Sequence, residues 1–168
     1  MVVTTANSAM RSVPDTVETV DLGGNQSLID AAQRAGVKRF IFVSARGADA
    51  DSPVPFLRAK AAAEARLRDS GMSHTILRPN MFMDVWIPMI ADRAVKTGRP
   101  VTVIGEGRRR HSFVAMQDVA KFAVAAVDHL AAANRVVVMG GPEPISWRDI
   151  VSISLPCLHT PDNMCLRS

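Results

Sequence analysis

The feature that most constrains the fold is the alternation of two apolar patterns between Ser27 and Met83. The helix-period segment SLIDAAQRAG precedes the continuous apolar run KRFIFV. The alanine-rich segment PFLRAKAAAEARLRDSG then precedes a second short apolar run, HTIL. Strands that alternate with helical patterns are typical of parallel α/β sheets, and continuously apolar strands are typical of sheets covered on both faces. The sequence therefore predicts an α/β fold with a parallel sheet and crossover helices.

Periodicity and turn residues extend this prediction along the chain. Parallel strands are predicted near residues 1–6, 38–43 and 73–77, and further strand candidates are Val101–Ile104, Ser112–Ala115 and Arg135–Met139. Helices are predicted near residues 25–35, 55–70, 82–97 and 116–130.

Local signals refine several of these elements. The polar residues 7–24 are predicted mostly as loop. The first helix is predicted to bury one face, made of Leu28, Ala31, Ala32 and Ala35. Pro88 is expected to kink or split the third helix, because proline cannot donate a helical hydrogen bond. Ser146 and Asp149 have the spacing of a capping box, which predicts a helix start there.

Composition excludes several classes of protein. A hydrophobic fraction of 48% and a charged fraction of 21% are typical of a soluble globular protein. No apolar run approaches the roughly 20 residues of a membrane-spanning helix. The opening segment MVVTTANSAMRS lacks the basic and apolar regions of a signal peptide, so we expect a cytoplasmic protein with no membrane partner. The two cysteines, Cys157 and Cys165, do not indicate a disulfide framework.

The segments SLIDAAQRAGVKRFIFVSARGAD, PFLRAKAAAEARLRDSG and SHTILRPNMFM together resemble the atypical short-chain dehydrogenase/reductases, in particular the NmrA-like NAD(P)-binding proteins. The resemblance covers about residues 1–153 and is strongest between 27 and 83. It implies a partial NAD(P)-binding domain over 1–153, built as a partial Rossmann-type doubly wound parallel sheet. Residues 154–168 show no pattern and are predicted to be a C-terminal tail.

The glycines do not complete this resemblance. None of the ten builds the G-x-G-x-x-G turn that cradles a dinucleotide, or the related G-x-x-G-x-x-G of this family. On the resemblance, the chain begins at about the fourth strand of the sheet and lacks the residue that selects NAD or NADP. We therefore expect a fragment of a longer protein or a gene truncated at both ends, with a complete minimal domain as the alternative.

The superfamily's catalytic pair is half present. Its enzymes carry a Tyr-x-x-x-Lys motif, whereas this chain has Phe56 and Lys60 in those positions. The spacing of four puts both side chains on one helical face. The resemblance implies that Lys60 binds the ribose of NAD(P) and is the candidate catalytic residue, while phenylalanine cannot exchange a proton. The alternative is a surface lysine that pairs with Glu64 on the same helix.

Two further groups of residues are implied to contact the cofactor. Ser44 lies at or next to the position of the superfamily's substrate-orienting hydroxyl, with Ala45 as the other alignment. The alternative is a hydroxyl that merely ends a strand. The turn after HTIL supplies Pro79, Asn80, Phe82 and Met83. The alternative for this turn is a plain connection in which Asn80 caps the next helix.

The end of the first strand supplies the last candidates. Thr5, Ala6 and Asn7 would lie beside the adenosine side of the dinucleotide, because ligands of such sheets bind at the carboxyl ends of strands. No metal site is predicted, since Cys157, His159 and Cys165 offer at most three ligands in an unpatterned segment. No G-x-S-x-G nucleophile motif is present either.

The net charge of +4 and the pI near 9.7 raise the question of a nucleic-acid partner. The only dense basic cluster is Arg108–His111, and neither interleaved aromatic residues nor a zinc-finger motif accompanies it. We interpret the cluster as a solvated basic loop, with proximity to a cofactor phosphate left open and an acidic partner or nucleic acid as the alternative.

Two functions follow from the resemblance. The first is an NAD(P)H-dependent oxidoreductase that acts on a small molecule, of the quinone- or isoflavone-reductase kind. The second is a non-catalytic redox sensor that binds the dinucleotide and acts through a protein partner. Phe56 is compatible with both.

Overall fold

The computed structural model of the protein describes residues 1–92 and 105–154. The chain forms two compact units. The first consists of Met1–Pro79 and Gln117–Met139, and the second of Asn80–Met116 and the chain from Gly140 on.

The described residues contain six strands and five α-helices. The strands are β1 (Val2–Thr4), β2 (Arg39–Val43), β3 (Ser73–Pro79), β4 (Arg110–His111), β5 (Arg135–Met139) and β6 (Ile145–Ser146). The helices are α1 (Asn25–Arg34), α2 (Pro55–Asp69), α3 (Met83–Ile87), α4 (Met116–Asp128) and α5 (Trp147–Ser154). Shorter helical segments are the π-helices Val17–Gly24 and Pro88–Asp92 and the 3-10 turn Leu130–Ala132.

The first unit contains a four-stranded parallel sheet in the order β1-β2-β3-β5. The register pairs Val3 with Ile41 and Phe42 with Ile76, and it continues to β5 through Leu77 and Val137. The predicted parallel strands and the helices near 25–35, 55–70 and 116–130 are therefore confirmed. The continuous apolar character of β2 follows from burial on both faces, since Phe40, Ile41 and Phe42 are all fully buried.

The core of this unit lies between the sheet and the helices α1 and α2. Phe40, Phe42 and Ile76 project from the strands against Ala63 and Leu67 of α2. The small alanine side chains of α2 let the helix approach the sheet closely. On α1 the core residues are Ile29 and Ala32, and Met72 completes the cluster after α2.

Two predictions for the segment before β2 are correct only in part, for Ala32 and for residues 7–16. The buried face of α1 is Asn25, Ile29 and Ala32, whereas Leu28 is 36% exposed and Ala31 and Ala35 are also exposed. Both sets have helical spacing, and the packing places Ile29 in the core and leaves Leu28, of the same size, at the surface.

The second error concerns residues 7–24, of which Val17–Gly24 is π-helical rather than loop. A reciprocal cap starts this segment. Thr19 N donates to Thr16 Oγ1 at 3.2 Å, and Thr16 N donates to Thr19 Oγ1 at 2.8 Å. Asp21 in its middle is fully buried. The π-helix runs directly into α1, so the chain is helical from Val17 to Arg34.

The second unit is held by an aromatic cluster. Phe113 and Trp147 pack edge to face with ring centroids 5.1 Å apart, and Trp86 lies 6.2 Å from Trp147. The predicted capping box is confirmed, because Ser146 N donates to Asp149 Oδ2 and Asp149 N donates to Ser146 Oγ. It starts α5 and thereby places Trp147 in the cluster.

Three further predictions fall in this unit. Pro88 splits the third helix as expected, since α3 ends at Ile87 and Pro88–Asp92 is π-helical. The strand predicted at Ser112–Ala115 is wrong, because β4 covers Arg110–His111 and pairs antiparallel with β6. The strand at Val101–Ile104 lies outside the described residues, as do the end of the third predicted helix and the tail from Leu155 on.

Candidate functional site

The carboxyl ends of β1, β2 and β3 lie at one edge of the parallel sheet and bring several predicted residues together. Thr5, Ala6 and Asn7 directly follow β1, Ser44 follows β2, and Pro79 ends β3. Ser44 N donates to Leu77 O at 2.7 Å, which ties the end of β2 to β3. This edge is where open α/β sheets bind ligands.

Helix α2 delivers Lys60 to the same edge. Its ammonium nitrogen lies 3.0 Å from Asp21 Oδ1 and donates to the Ala6 carbonyl at 2.9 Å. The side chains of Lys60 and Asp21 are only 2% and 0% exposed. The rings of Phe42 and Phe56 each lie 5.3 Å from the ammonium and contribute cation–π contacts.

Lys60 is therefore not the surface lysine of the alternative interpretation, and its expected pairing with Glu64 is wrong. Lys60 and Glu64 are one turn apart on α2, but each pairs with a residue of another element. Both are buried, and each has a closer partner of opposite charge in Asp21 or Arg78. The burial lowers the pKa of the Lys60 ammonium, and the hydrogen bond and charge of Asp21 oppose that shift only in part.

Asp21 is the centre of the cluster on the π-helix side. Its Oδ2 accepts hydrogen bonds from the backbone N of Ser8 at 3.0 Å and from the Ser8 hydroxyl at 2.5 Å. Asn25, one turn later and 1% exposed, donates through Nδ2 to the carbonyl of Ala6 at 3.2 Å. Asp21, Asn25 and Lys60 together hold the backbone of Ala6 and Ser8 where the chain leaves β1.

Glu64 is the centre of a second buried cluster. Arg78 binds its carboxylate in a bidentate manner, with Nε 2.8 Å from Oε1 and Nη2 2.7 Å from Oε2. Arg68 adds a contact of 2.7 Å, and the Ser44 hydroxyl donates to Oε1 at 2.6 Å. The Ser44 proton is thus directed at Glu64, so this hydroxyl offers only lone pairs to any other group. Burial alone would raise the pKa of Glu64, but hydrogen bonds from Arg78, Ser44 and Arg68 hold it below its ordinary value.

Because the pKa of Glu64 is lowered, we expect the stability of the fold to depend on this residue at acid pH. A carboxyl group whose pKa is lower in the folded than in the unfolded state stabilises the fold above its ordinary pKa, and this contribution is lost as the pH falls through the folded value. Glu64→Gln is expected to cost at least ~2 kcal/mol at neutral pH and to flatten the loss of stability in the acid range below the ordinary glutamate pKa of 4.5. Urea unfolding across that range measures both effects.

The matched control is Asp30→Asn. Asp30 pairs with Arg66 at 2.7 Å, but both side chains are partly in solvent. Its replacement is expected to change stability little at any pH, because solvent screens exposed pairs. An acid profile of Glu64→Gln that parallels the unaltered chain would show that Glu64 does not carry the acid sensitivity.

The remaining predicted residues belong to the second unit. Asn80 does not cap a helix, since its Oδ1 accepts from Met81 N at 2.9 Å and the residue before α3 is Phe82. Phe82 forms a parallel bridge with Val114, and Met83 N donates to Val114 O at 3.0 Å. These contacts fix the turn before α3.

The three arginines of the basic cluster are exposed, whereas His111 is half-buried. Arg108 lies 3.5 Å from Glu106, and Arg110 donates to the Pro144 carbonyl at 2.9 Å. Arg110 and His111 form β4, so that part of the prediction as a loop is wrong.

The sequence patterns do not predict Asp21, Asn25 or Arg78 as site residues. The available signal for the first two was their spacing of four, which places them on one helical face. This spacing has no meaning in a loop, and residues 7–24 are predicted mostly as loop. No group of three or more His, Cys, Asp or Glu side chains within residues 1–92 and 105–154 is arranged to hold a metal ion. Across the same residues, no helix is long and apolar enough to cross a membrane.

Comparison with known families identifies the fold and the cofactor. A sequence model of the family described as NAD(P)H-binding matches residues 1–130. The chain belongs to the NAD(P)H-binding family. Its cofactor is NAD(P), and the predicted NAD(P)-binding resemblance is confirmed.

Two curated relatives illustrate the range of this family. The chain is 31% identical over 140 residues to the NAD(P)H azoreductase of Xenophilus azovorans, covering 83% of this chain and 46% of the relative. It is 30% identical over 139 residues to the photosystem II assembly factor Ycf39 of Trieres chinensis, covering 83% of this chain and 43% of the relative. The chain thus spans less than half the length of either relative.

Solved structures agree on the fold. MoeE5 in complex with UDP-glucose and NAD superposes with a TM-score of 0.75 at 21% identity, over 92% of this chain and 61% of that one. The UDP-glucuronic acid 4-epimerase of Bacillus cereus in complex with NAD gives 0.75 at 19% identity, over 90% and 57%. The predicted Rossmann-type parallel sheet with flanking helices is therefore confirmed.

Proposed function

We propose that the protein is an NAD(P)H-dependent oxidoreductase whose hydride acceptor needs no proton donor from the protein. A quinone or an azo compound is an acceptor of this class. The proposal rests on two positions at which enzymes of the superfamily carry a hydroxyl group directed at the substrate. In this chain neither position offers a proton to a substrate. One is Phe56 and has no hydroxyl, and the other, Ser44, donates its proton to Glu64 at 2.6 Å.

The chemistry of the acceptor follows from these two residues. Reduction of a simple carbonyl to an alcohol needs a proton at the oxygen as the hydride arrives, and a positioned acid supplies it. A quinone or an azo group instead stabilises the negative charge that the hydride brings, so that water can supply the proton. Bound NAD(P)H supplies the hydride and its electron pair.

The residues at the sheet edge fit the ribose end of a dinucleotide. The Lys60 ammonium forms an ion pair with Asp21 and donates to the Ala6 carbonyl, which leaves an N–H without an acceptor among the described residues. We propose that this N–H binds a ribose hydroxyl, which makes Lys60 the candidate catalytic residue. Further proposed cofactor contacts in the first unit are Thr5, Ala6, Asn7, Ser44 and Pro79. Those in the second unit, proposed on the family resemblance alone, are Asn80, Phe82 and Met83.

The similarity to an NAD(P)H azoreductase supports hydride transfer to an azo or related acceptor. A second candidate is a non-catalytic dinucleotide-binding regulator that acts through a protein partner. The similarity to an assembly factor favours this alternative.

Turnover separates the two candidates. The full-length protein is incubated with NADH or NADPH and a panel of quinones and azo compounds, and oxidation of the dinucleotide is followed by its absorbance. Acceptor-dependent oxidation is expected for the oxidoreductase. Saturable binding of the dinucleotide without turnover of any acceptor would instead favour the regulator.

A substitution at Phe56 tests the proposed acceptor class. Phe56→Tyr places a phenol hydroxyl one turn before Lys60, so it is expected to raise turnover of a carbonyl acceptor by up to about a hundredfold. Turnover of a quinone is expected to change by less than about threefold, because that step needs no positioned acid. Initial rates with both acceptors measure the effect.

The control for this substitution is Phe56→Leu, which removes the ring without adding a hydroxyl. It is expected to give no gain with the carbonyl acceptor. Efficient carbonyl reduction by the unaltered protein would contradict the proposed acceptor class.

A further inference from the structure

The buried pair formed by Asp21 and Lys60 is electrically neutral as a whole. The two charged groups are 3.0 Å apart, and their side chains are 0% and 2% exposed, so water screens neither of them. Two hydrogen bonds from Ser8 go to Oδ2 of the carboxylate, and the ammonium donates to the Ala6 carbonyl. The pair lies where the chain leaves β1, at the edge proposed above to bind the dinucleotide.

We propose that Asp21 is a positioning residue of the dinucleotide site whose negative charge sets the balance between binding of the oxidised and of the reduced cofactor. The inference rests on the proposed function in one respect, which is that Lys60 contacts the bound dinucleotide.

The physical reason is the charge of the nicotinamide ring, which is positive when oxidised and neutral when reduced. An ammonium group without a counter-ion at the sheet edge would repel the oxidised ring and leave the reduced ring almost unaffected. Repulsion between charges persists over several ångströms where protein replaces water. The carboxylate of Asp21 cancels the charge of Lys60 at this edge, so that both redox forms are accepted.

Asp21 also determines the position of Lys60. Its Oδ2 holds Ser8, its Oδ1 faces the ammonium, and the ammonium in turn holds the carbonyl of Ala6. Helix α2 and the segment after β1 are thereby joined through one carboxylate. A neutral side chain at position 21 would retain the hydrogen-bonding shape in part, but not the charge.

The quantity measured is the dissociation constant of the oxidised dinucleotide divided by that of the reduced dinucleotide. Both constants are determined by calorimetric titration of the full-length protein. Asp21→Asn leaves the ammonium without its counter-ion, so the ratio is expected to rise about tenfold. Lys60→Met leaves the carboxylate, which still accepts two hydrogen bonds from Ser8, so the ratio is expected to fall about tenfold. Combining both substitutions removes both charges and is expected to return the ratio to within about threefold of the original value.

Ser8→Ala is the matched control, because it removes a hydrogen bond to Asp21 without changing any charge. It is expected to leave the ratio unchanged even where both affinities fall. A purely structural role of Asp21 would weaken both redox forms by the same factor, and that result would overturn the proposal. Either single substitution is sufficient to test the proposal. If one variant fails to fold, the ratio of the other variant remains the test.

The ratio does not depend on turnover, which keeps this test separate from that of the proposed function. If the protein reduces no acceptor, but the ratio rises in Asp21→Asn and falls in Lys60→Met, the proposed role of Asp21 is supported and the proposed oxidoreductase activity is not. If the protein reduces quinones, but neither substitution changes the ratio, the proposed activity is supported and the proposed role of Asp21 is not.

Discussion

Replacing either Asp21 or Lys60 alone is expected to lower the free energy of unfolding by about 3–5 kcal/mol, whereas replacing both with apolar residues is expected to cost much less. Either single change leaves one charge buried without a partner, because the two side chains are almost completely excluded from water. The paired change removes both desolvation penalties. Urea unfolding of Asp21→Leu, Lys60→Met and the combination of the same two substitutions measures the coupling.

The exposed pair of Arg66 and Asp30 is the matched control for this cycle. The distance of 2.7 Å between its charged atoms is similar to that of the buried pair, but its side chains are partly in solvent. Its single substitutions are expected to have small effects, because exposed ion pairs contribute little. Single changes at Asp21 and Lys60 that cost no more than those of the control would show that the buried pair does not hold the fold. A combined cost equal to the sum of the two single costs would show that the residues are not coupled.

The 168-residue chain is expected to bind NADH and NADPH about a thousandfold more weakly than a complete dinucleotide-binding fold, in the millimolar rather than the micromolar range. None of its ten glycines builds the turn that surrounds a diphosphate with backbone N–H groups at a helix N-terminus. A loss of ~4 kcal/mol corresponds to this factor. Fluorescence titration with both dinucleotides measures the affinity.

Restoring the glycine-rich segment tests the reason for this weakness. A segment of about two βα units, ~30 residues each, from a relative that carries the diphosphate-binding turn is fused ahead of the chain, and the titration is repeated. Micromolar affinity is expected to return if the added residues contain the diphosphate-binding turn. Micromolar binding by the 168-residue chain itself would contradict the prediction, because the described strand ends would then suffice.

Most of the fold follows from local sequence patterns. The run KRFIFV forms β2 because nearly every position is covered by protein, and the alanine-rich segment forms α2 from Pro55 to Asp69. Carboxyl ends of parallel strands share one edge, so placing Ser44 and Pro79 together required only the order of the elements. Errors arose where two patterns were equally good locally. Ile29 and Leu28 both have suitable spacing, and the shape of the core selected Ile29.

The sequence by itself determined the order of the main helices and strands, the parallel sheet and the family, and it made Lys60 a candidate for the sheet edge. Only the tertiary structure decided which charges are paired. Spacing on α2 favours Lys60 with Glu64, but the fold pairs Lys60 with Asp21 and Glu64 with Arg78. The reason is desolvation. A buried charge needs a partner that the packed elements bring to it, and that partner is set by how the π-helix and β3 lie against α2, which no local pattern records.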